Sequence, residues 1–230
     1  MSYFYLPKNT LYFPPVEKAN KEGILAIGGD LSVERLLYAY ESGIFPWFSP
    51  GDPIVWWSPD PRFVLYPSKI KVSKSMKQLF KKQAFQVTLD NAFEEVIKNC
   101  RYIKRKGQTG TWITDEMQEA YTQLYKLGYG HSVEVWHEGN LVGGLYGVSL
   151  GKIFFGESMF SKMSNASKYG FITLTKILEE KEFKLVDCQV YTEHLESLGA
   201  EFIRRWRFME ELEEALQAPT IQGSWSDWLK

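Results

Sequence analysis

Cysteine and histidine are scarce in this chain of 230 residues: two of the first, Cys100 and Cys188, and three of the second. With no Cys-x-x-Cys and no close His pair, neither a disulfide framework nor the spacing of a zinc site is present. No apolar run approaches the roughly 20 residues that span a bilayer. The opening "MSYFYLPKNT" lacks the basic segment and apolar stretch of a secretory signal, and internal repeats and low-complexity tracts are missing too. Nor is there an excess of charge. Against 28 Asp and Glu stand 27 Lys and Arg, so bulk electrostatics nominates no nucleic-acid partner. These absences lead us to expect a cytoplasmic protein with reduced thiols and no membrane association.

What is present is unevenly distributed. Between Ser68 and Lys106 eleven Lys or Arg face three acids, while from Glu179 to Glu214 eleven acids face five basic residues. One region can therefore present a positive surface. With 44% hydrophobic residues, the length suits one large domain carrying a small lobe. We assign residues 1–65, rich in Pro, Gly and Trp, to the lobe and residues 66–230 to the main domain. In the lobe a single helix, "VERLLYAYES", is expected between a Ser32 cap and a Gly43 stop. Two short strands, "IVWW" and "RFVLY", follow between proline-fixed turns.

From Lys71 onward the punctuation predicts a capped basic helix ("SKSMKQLFKKQ"), a strand ("FQVTL"), a helix capped by Asp90 ("NAFEEVIKNCRYIKR") and a helix capped by Thr114 ("DEMQEAYTQLYKL"). A meander of "HSVEVWH", "LVGGLYGVSL" and "IFFGESMF" comes next. Ser164 or Asn165 should start the helix "ASKYGFITLTKILEEK". The strand "KLVDCQV", the short helix "TEHLESLG", the strand "EFIRRWRF" and the acidic helix "MEELEEAL" complete the chain. That order predicts an α+β fold around a mostly antiparallel mixed sheet, with a small α/β lobe before it. It resembles the GNAT acyltransferase fold.

Glu157 stands in the middle of the apolar strand "IFFGESMF", where an unpaired buried charge costs several kcal/mol. Strand alternation puts Phe155, Glu157 and Met159 on one face and Phe154, Gly156, Ser158 and Phe160 on the other. Asp187 and Gln189 likewise share a face, with Cys188 pointing away. Neighbouring strands would bring Glu157, Asp187 and Gln189 to one cleft. Either this trio is a polar reaction site, or it is a buried network satisfying itself against Lys168 or Arg204.

Acetyl-CoA enzymes of the GNAT fold hold pyrophosphate with a glycine-rich turn before a helix, but here that turn, "FSKMSNASK", has no glycine. Its free N–H groups and Lys162 suit a single phosphate, and simple capping by Ser164 or Asn165 accounts for it equally well. Trp47, Phe48, Trp56, Trp57 and Trp112 lie in Pro- and Gly-rich loops, where an indole stacks on a base or plugs a lobe into its neighbour. The basic loop "RYIKRKG", residues 101–107, suits a phosphate backbone or is solvated surface. His131 and His137 read as rim residues. A Cys188–His194 nucleophilic pair is conceivable, although Cys188 has the wrong strand parity to join the trio.

The strings "GGDLS", "GIFPWFSPGDPIVWWSPDPRFVL", "GTWIT", "HSVEVW", "LVGGLYGV", "GESMFS", "NASK" and "VDCQV", in order from about Gly23 to Arg204, resemble the leucyl/phenylalanyl-tRNA-protein transferase family. The resemblance implies transfer of Leu or Phe, less readily Met, from Leu-tRNA or Phe-tRNA to the N-terminal Arg or Lys of an acceptor protein. The product would be marked for the bacterial N-degron pathway. By motif, Trp47 and Trp112 would hold the 3'-terminal adenosine. Leu145, Phe154, Met159, Phe171, Leu174, Leu178 and Val186 would line the side-chain pocket, and of these Leu145, Phe171, Leu174 and Leu178 leave the Leu-to-Phe preference open. Asp187 and Gln189 would assist the reaction, and Glu157 would meet the acceptor. No cofactor is implied, and a monomer is expected. Two other readings remain at this stage: an acetyl-CoA-dependent N-acetyltransferase, and a non-catalytic tRNA-binding module.

Overall fold

The computed structural model describes residues 4–103 and 112–229. Residues 104–107 of the basic loop "RYIKRKG" lie outside them. The chain opens with β1 (Phe4–Leu6), parallel to β2 (Ile24–Gly28). Helix α1 (Val33–Glu41) follows, the Ser32 hydroxyl accepting the Arg35 N–H and Gly43 (φ 71°) ending it, as the sequence predicts. Then come β3 (Phe45–Pro46), β4 (Val55–Trp57) and β5 (Arg62–Leu65). The lobe sheet runs β1-β2-β4-β3. The buried Arg35 ties its entry segment down by donating to the carbonyls of Pro7, Lys8 and Thr10 and to Asp30. Of the two strands expected there, only β4 stays; β5 pairs instead with strands of the larger sheet.

The main domain adds α2 (Lys74–Lys81), β6 (Gln86–Leu89), α3 (Phe93–Tyr102) and α4 (Asp115–Lys126). The meander is β7 (Gly130–His137), β8 (Asn140–Leu150) and β9 (Ile153–Ser161). After it come α5 (Ala166–Glu180), β10 (Leu185–Gln189), α6 (Glu193–Glu196), β11 (Glu201–Ile203) and α7 (Arg205–Leu216). Seven strands form one sheet in the order β11-β5-β10-β9-β8-β7-β6. Every neighbouring pair is antiparallel except β9 and β10, which α5 joins as a parallel crossover. The protein is thus α+β with a mostly antiparallel mixed sheet. One core, shared with the lobe, packs α1, α3, α4 and α7 against one face of the sheet; the other packs α2, α5 and Trp225 against the opposite face.

The starts of α3 and α5 and the boundary between β11 and α7 differ from the sequence reading, each for a definite physical reason. Asp90 does not cap α3: at φ 57° its buried carboxylate accepts the N–H groups of Ser132 and Trp225 and faces His131 Nδ1 at 2.9 Å. Glu134, on the adjacent β7, fixes the entry to the helix by accepting the N–H groups of Asn91 and Ala92, and no side chain caps its first turn. His131 is accordingly a core residue, 1% exposed and stacked on Trp225, rather than part of a rim. At α5 neither Ser164 nor Asn165 caps. Asn165 adopts φ 68° without a side-chain cap bond, and the Ser161 hydroxyl accepts the Ser167 N–H instead. The expected strand "EFIRRWRF" stops at Ile203 because Asp60 receives the Arg205 N–H and the Arg204 guanidinium, which starts α7 there.

Candidate active site

The cleft begins where two parallel strands separate. Register between β9 and β10 ends at Phe155 opposite Asp187, yet β9 continues to Ser161. At the same point β9 carries a bulge: Tyr146 faces Ser158 and Gly147 faces Gly156, leaving Glu157 as the extra residue. The ring of Phe154 occupies the space over Gly147, where a Cβ would stand 2.5 Å from Phe154 Cζ. A bulge resets alternation. Phe155 and Phe160 therefore join one core, and Met159 joins Phe154 in the other. The sequence reading, which placed Met159 with Phe155, is corrected by this inserted residue.

Three neutral groups hydrogen-bond with Glu157. Tyr40 of α1 meets Oε1 at 2.7 Å, Tyr121 of α4 meets Oε2 at 2.9 Å, and Gln189 Nε2 donates to Oε1 at 2.8 Å. The two phenols also touch each other at 2.6 Å. Desolvation lifts the Glu157 carboxyl to about 7, with the Asp187 charge pushing the same way and the three hydrogen bonds opposing it. Burial together with the Glu157 charge holds both phenols well above their ordinary values.

Asp187 has different work. Fully buried, it takes Arg62 in two bonds of 2.9 and 2.6 Å and accepts the Gln189 backbone N–H at 2.9 Å. Arg62 in turn donates to the Gly43 carbonyl and lies between the Phe45 and Phe208 rings, 4.7 and 4.5 Å from their centroids. Gln189 sits at φ 63°, an uncommon conformation for a non-glycine residue. The Asp187–Arg62 pair is the brace that holds it there, while the Gln189 side chain crosses the gap to Glu157. With one Nε2–H engaged on Glu157, Gln189 still has its amide oxygen to offer as an acceptor, beside a second N–H.

The cleft encloses about 530 Å³. Trp47, Trp112, Leu145, Glu157, Met159, Phe171, Val186 and Gln189 line it, and Trp47 is 39% exposed beside Trp57. Four of the residues named by resemblance do not reach its wall. Phe154, Leu174 and Leu178 are buried in the core behind it, Phe154 because it packs over Gly147, and the last two because successive turns of α5 carry them away from Phe171. Asp187 stands behind Gln189. Cys188 does line the cleft, contrary to its expected parity, because β10 bulges between Asp187 and Gln189. Burial pushes its thiol far up, so it is no ready nucleophile, although His194 lines the same space.

Sequence reasoning passed over Arg62, Tyr40 and Tyr121. Arg62 offered a signal, a charge inside the apolar run "RFVLY". The two tyrosines occupy apolar positions of amphipathic helices, where the pattern reads only as core. Among the described residues no group of three His, Cys, Asp or Glu side chains could hold a metal ion.

Comparison with known proteins finds matches along most of the chain. A family model described as leucyl/phenylalanyl-tRNA protein transferase matches residues 64–213, and the model of its N-terminal domain matches residues 29–60. A leucyl/phenylalanyl-tRNA–protein transferase of Syntrophus aciditrophicus is 58% identical over 94% of this chain and 90% of its own length. Another, of Flavobacterium johnsoniae, is 58% identical over 90% of this chain and 97% of its own. Among solved structures, an aminoglycoside acetyltransferase from a soil metagenomic sample aligns at 15% identity over 48% of this chain and 80% of its own, with a TM-score of 0.37.

Proposed function

The chain belongs to the leucyl/phenylalanyl-tRNA protein transferase family of aminoacyltransferases, and from that premise we propose how its cleft performs the transfer. It takes Leu or Phe, and less readily Met, from aminoacyl-tRNA and joins it to the N-terminal Arg or Lys of an acceptor protein in the cytoplasm, acting as a monomer. The observation that carries this reading is one cleft walled by both cores, with the Glu157–Gln189 pair beside the apolar side chains of Leu145, Met159, Phe171 and Val186.

An apolar slot contributes about 1.5–3 kcal/mol for a buried Leu or Phe side chain. It discriminates by only about 1–3 kcal/mol per methylene, hence the leakage toward Met. Trp47 and Trp112 offer ring faces for the terminal adenosine. The Glu157 carboxylate meets the cationic N-terminus. The α-amine, with an ordinary pKa of about 7.7–8.0, is partly neutral at cytoplasmic pH. Its nitrogen attacks the ester carbonyl carbon: the C–N bond forms, the bond to the ribose 3'-oxygen breaks, and that oxygen receives the amine proton directly or through water. Gln189, braced by Asp187 and Arg62, accepts from the amine and orients it; an amide is too weak a base to keep the proton. Because the ester arrives activated, the step as written uses neither a nucleotide, CoA nor a metal, and positioning supplies much of the rate.

The test is incubation of the protein with radiolabelled Leu-tRNA and a peptide beginning with Arg, counting label stable to mild base. Transfer that disappears when the peptide N-terminus is acetylated is the expected result. Folded protein that transfers nothing from Leu-, Phe- or Met-tRNA would overturn the reading.

A further inference from the structure

Three oxygen contacts close a triangle at the cleft: Tyr40 to Tyr121 at 2.6 Å, Tyr40 to Glu157 Oε1 at 2.7 Å, and Tyr121 to Glu157 Oε2 at 2.9 Å. Each distance is that of a hydrogen bond, and each bond needs one proton between its oxygens. The two phenols supply one apiece. With Glu157 ionised, two protons must serve three contacts, so two oxygens would face each other lone pair to lone pair. Tyr40 and Tyr121 are fully buried, so water gives no relief. With Glu157 a carboxylic acid, the count closes. Oε2–H donates to Tyr121, Tyr121 donates to Tyr40, and Tyr40 donates to Oε1, which also accepts Gln189 Nε2.

We propose that Glu157, Tyr40 and Tyr121 form a closed proton ring, which keeps Glu157 a neutral acid in the empty cleft and gives up the acid proton when a cationic N-terminus docks. The second half rests on the acceptor reading above. On docking, the carboxyl O–H bond breaks and its proton leaves through the open cleft. The carboxylate keeps the Tyr40 donor, Tyr121 turns its proton from Tyr40 to Oε2, and the incoming cation joins them, so the Tyr40–Tyr121 contact is left without a proton and lengthens.

The surroundings fit a neutral resting state. Glu157 is faced by Tyr40 from α1 and by Tyr121 from α4, which has Tyr146 of β8 behind it. From β10 it meets the Gln189 amide and the charge of Asp187, while the Cys188 thiol, which burial keeps neutral, lines the same cleft. Arg62 is committed to Asp187. Among the described residues no basic side chain forms an ion pair with Glu157. Desolvation, which lifts its carboxyl to about 7, agrees with the proton count. A single linked proton with that midpoint makes acceptor affinity rise about fivefold between pH 6 and pH 7.

The experiment is a carbon-13 NMR titration of the full chain labelled at glutamate Cδ, the Glu157 signal being identified by its loss in Glu157→Gln. In the empty protein the midpoint is expected near 7; a midpoint in the ordinary glutamate range, about 4.3, overturns the ring. Adding a peptide that begins with Arg, with no tRNA present, should lower the midpoint by more than one unit. A peptide that binds and leaves it unmoved overturns the coupling. One that fails to bind counts against the acceptor reading, the ring having been decided by the first titration. The amide side chain introduced by Glu157→Gln would reproduce the ring's donors and acceptors, so that variant should melt no lower than wild type at pH 8; clear destabilisation there overturns the proposal.

Discussion

Arg62→Met would remove the counter-charge of a carboxylate that sees no water. Asp187 is 0% exposed and Arg62 1%, and without the guanidinium Asp187 keeps only the Gln189 N–H as a described hydrogen-bond partner. Breaking a buried pair on one side costs about 3–5 kcal/mol, a large part of the roughly 5–15 kcal/mol that holds a domain together. At about 2–4 °C per kcal/mol for a chain of this size, the melting temperature should fall by roughly 6–20 °C. Methionine still fills the slot between Phe45 and Phe208, so the loss reports chiefly on charge. Adding Asp187→Asn to Arg62→Met removes the stranded charge and leaves an oxygen for the Gln189 N–H. The double variant should therefore recover more than half of the loss. The assay is calorimetry at pH 7.5 on wild type, both single variants and the double. Arg62→Met melting within about 2 °C of wild type, the shift of a surface pair worth at most about 1 kcal/mol, would refute the brace.

Other outcomes follow from the same geometry. Glu134→Ala strands the Thr88 and Ser132 hydroxyls and two N–H groups before α3; it should cost about 1–3 kcal/mol by urea titration and speed exchange of the Asn91 and Ala92 amides. Trp47→Ala and Trp112→Ala should each raise KM for aminoacyl-tRNA about 5- to 150-fold, the equivalent of one stack of about 1–3 kcal/mol, and an unchanged KM would remove them from adenosine binding. Cys188, whose thiol burial pushes far up, should resist alkylation at pH 7.5 when followed by mass spectrometry.

The fold was largely legible because its punctuation is local. Ser32, Ser73 and Thr114 each accept the backbone N–H that a sequence capping rule assigns them. At the starts of α3 and α7 the carboxylate that receives the backbone N–H comes from a distant part of the chain. Glu134 lies 42 residues from the Ala92 N–H it accepts, and Asp60 lies 145 from that of Arg205. No window of sequence contains both partners, so no local rule finds them. Strand β5 escaped the lobe for a related reason: its partners, β10 and β11, come more than a hundred residues later.

At the site, the residues out of character with their strands were the informative ones. Glu157, Asp187 and Gln189 were found because polar groups in apolar strands demand an explanation, and by that criterion Arg62 was equally visible. Their geometry was not. Alternation assumes unbroken pairing, and both strands bulge at the residues that matter, between Tyr146 and Gly147 opposite Glu157 and between Asp187 and Gln189. Those breaks are what let β9 and β10 part, so the feature that defeats the period-two rule also opens the cleft. Tyr40 and Tyr121 were invisible for the opposite reason, since a tyrosine at an apolar helix position satisfies the pattern completely. Only the demand that every buried hydroxyl find a partner reveals what it does, and that demand can be posed only once α1 and α4 are seen to meet over Glu157.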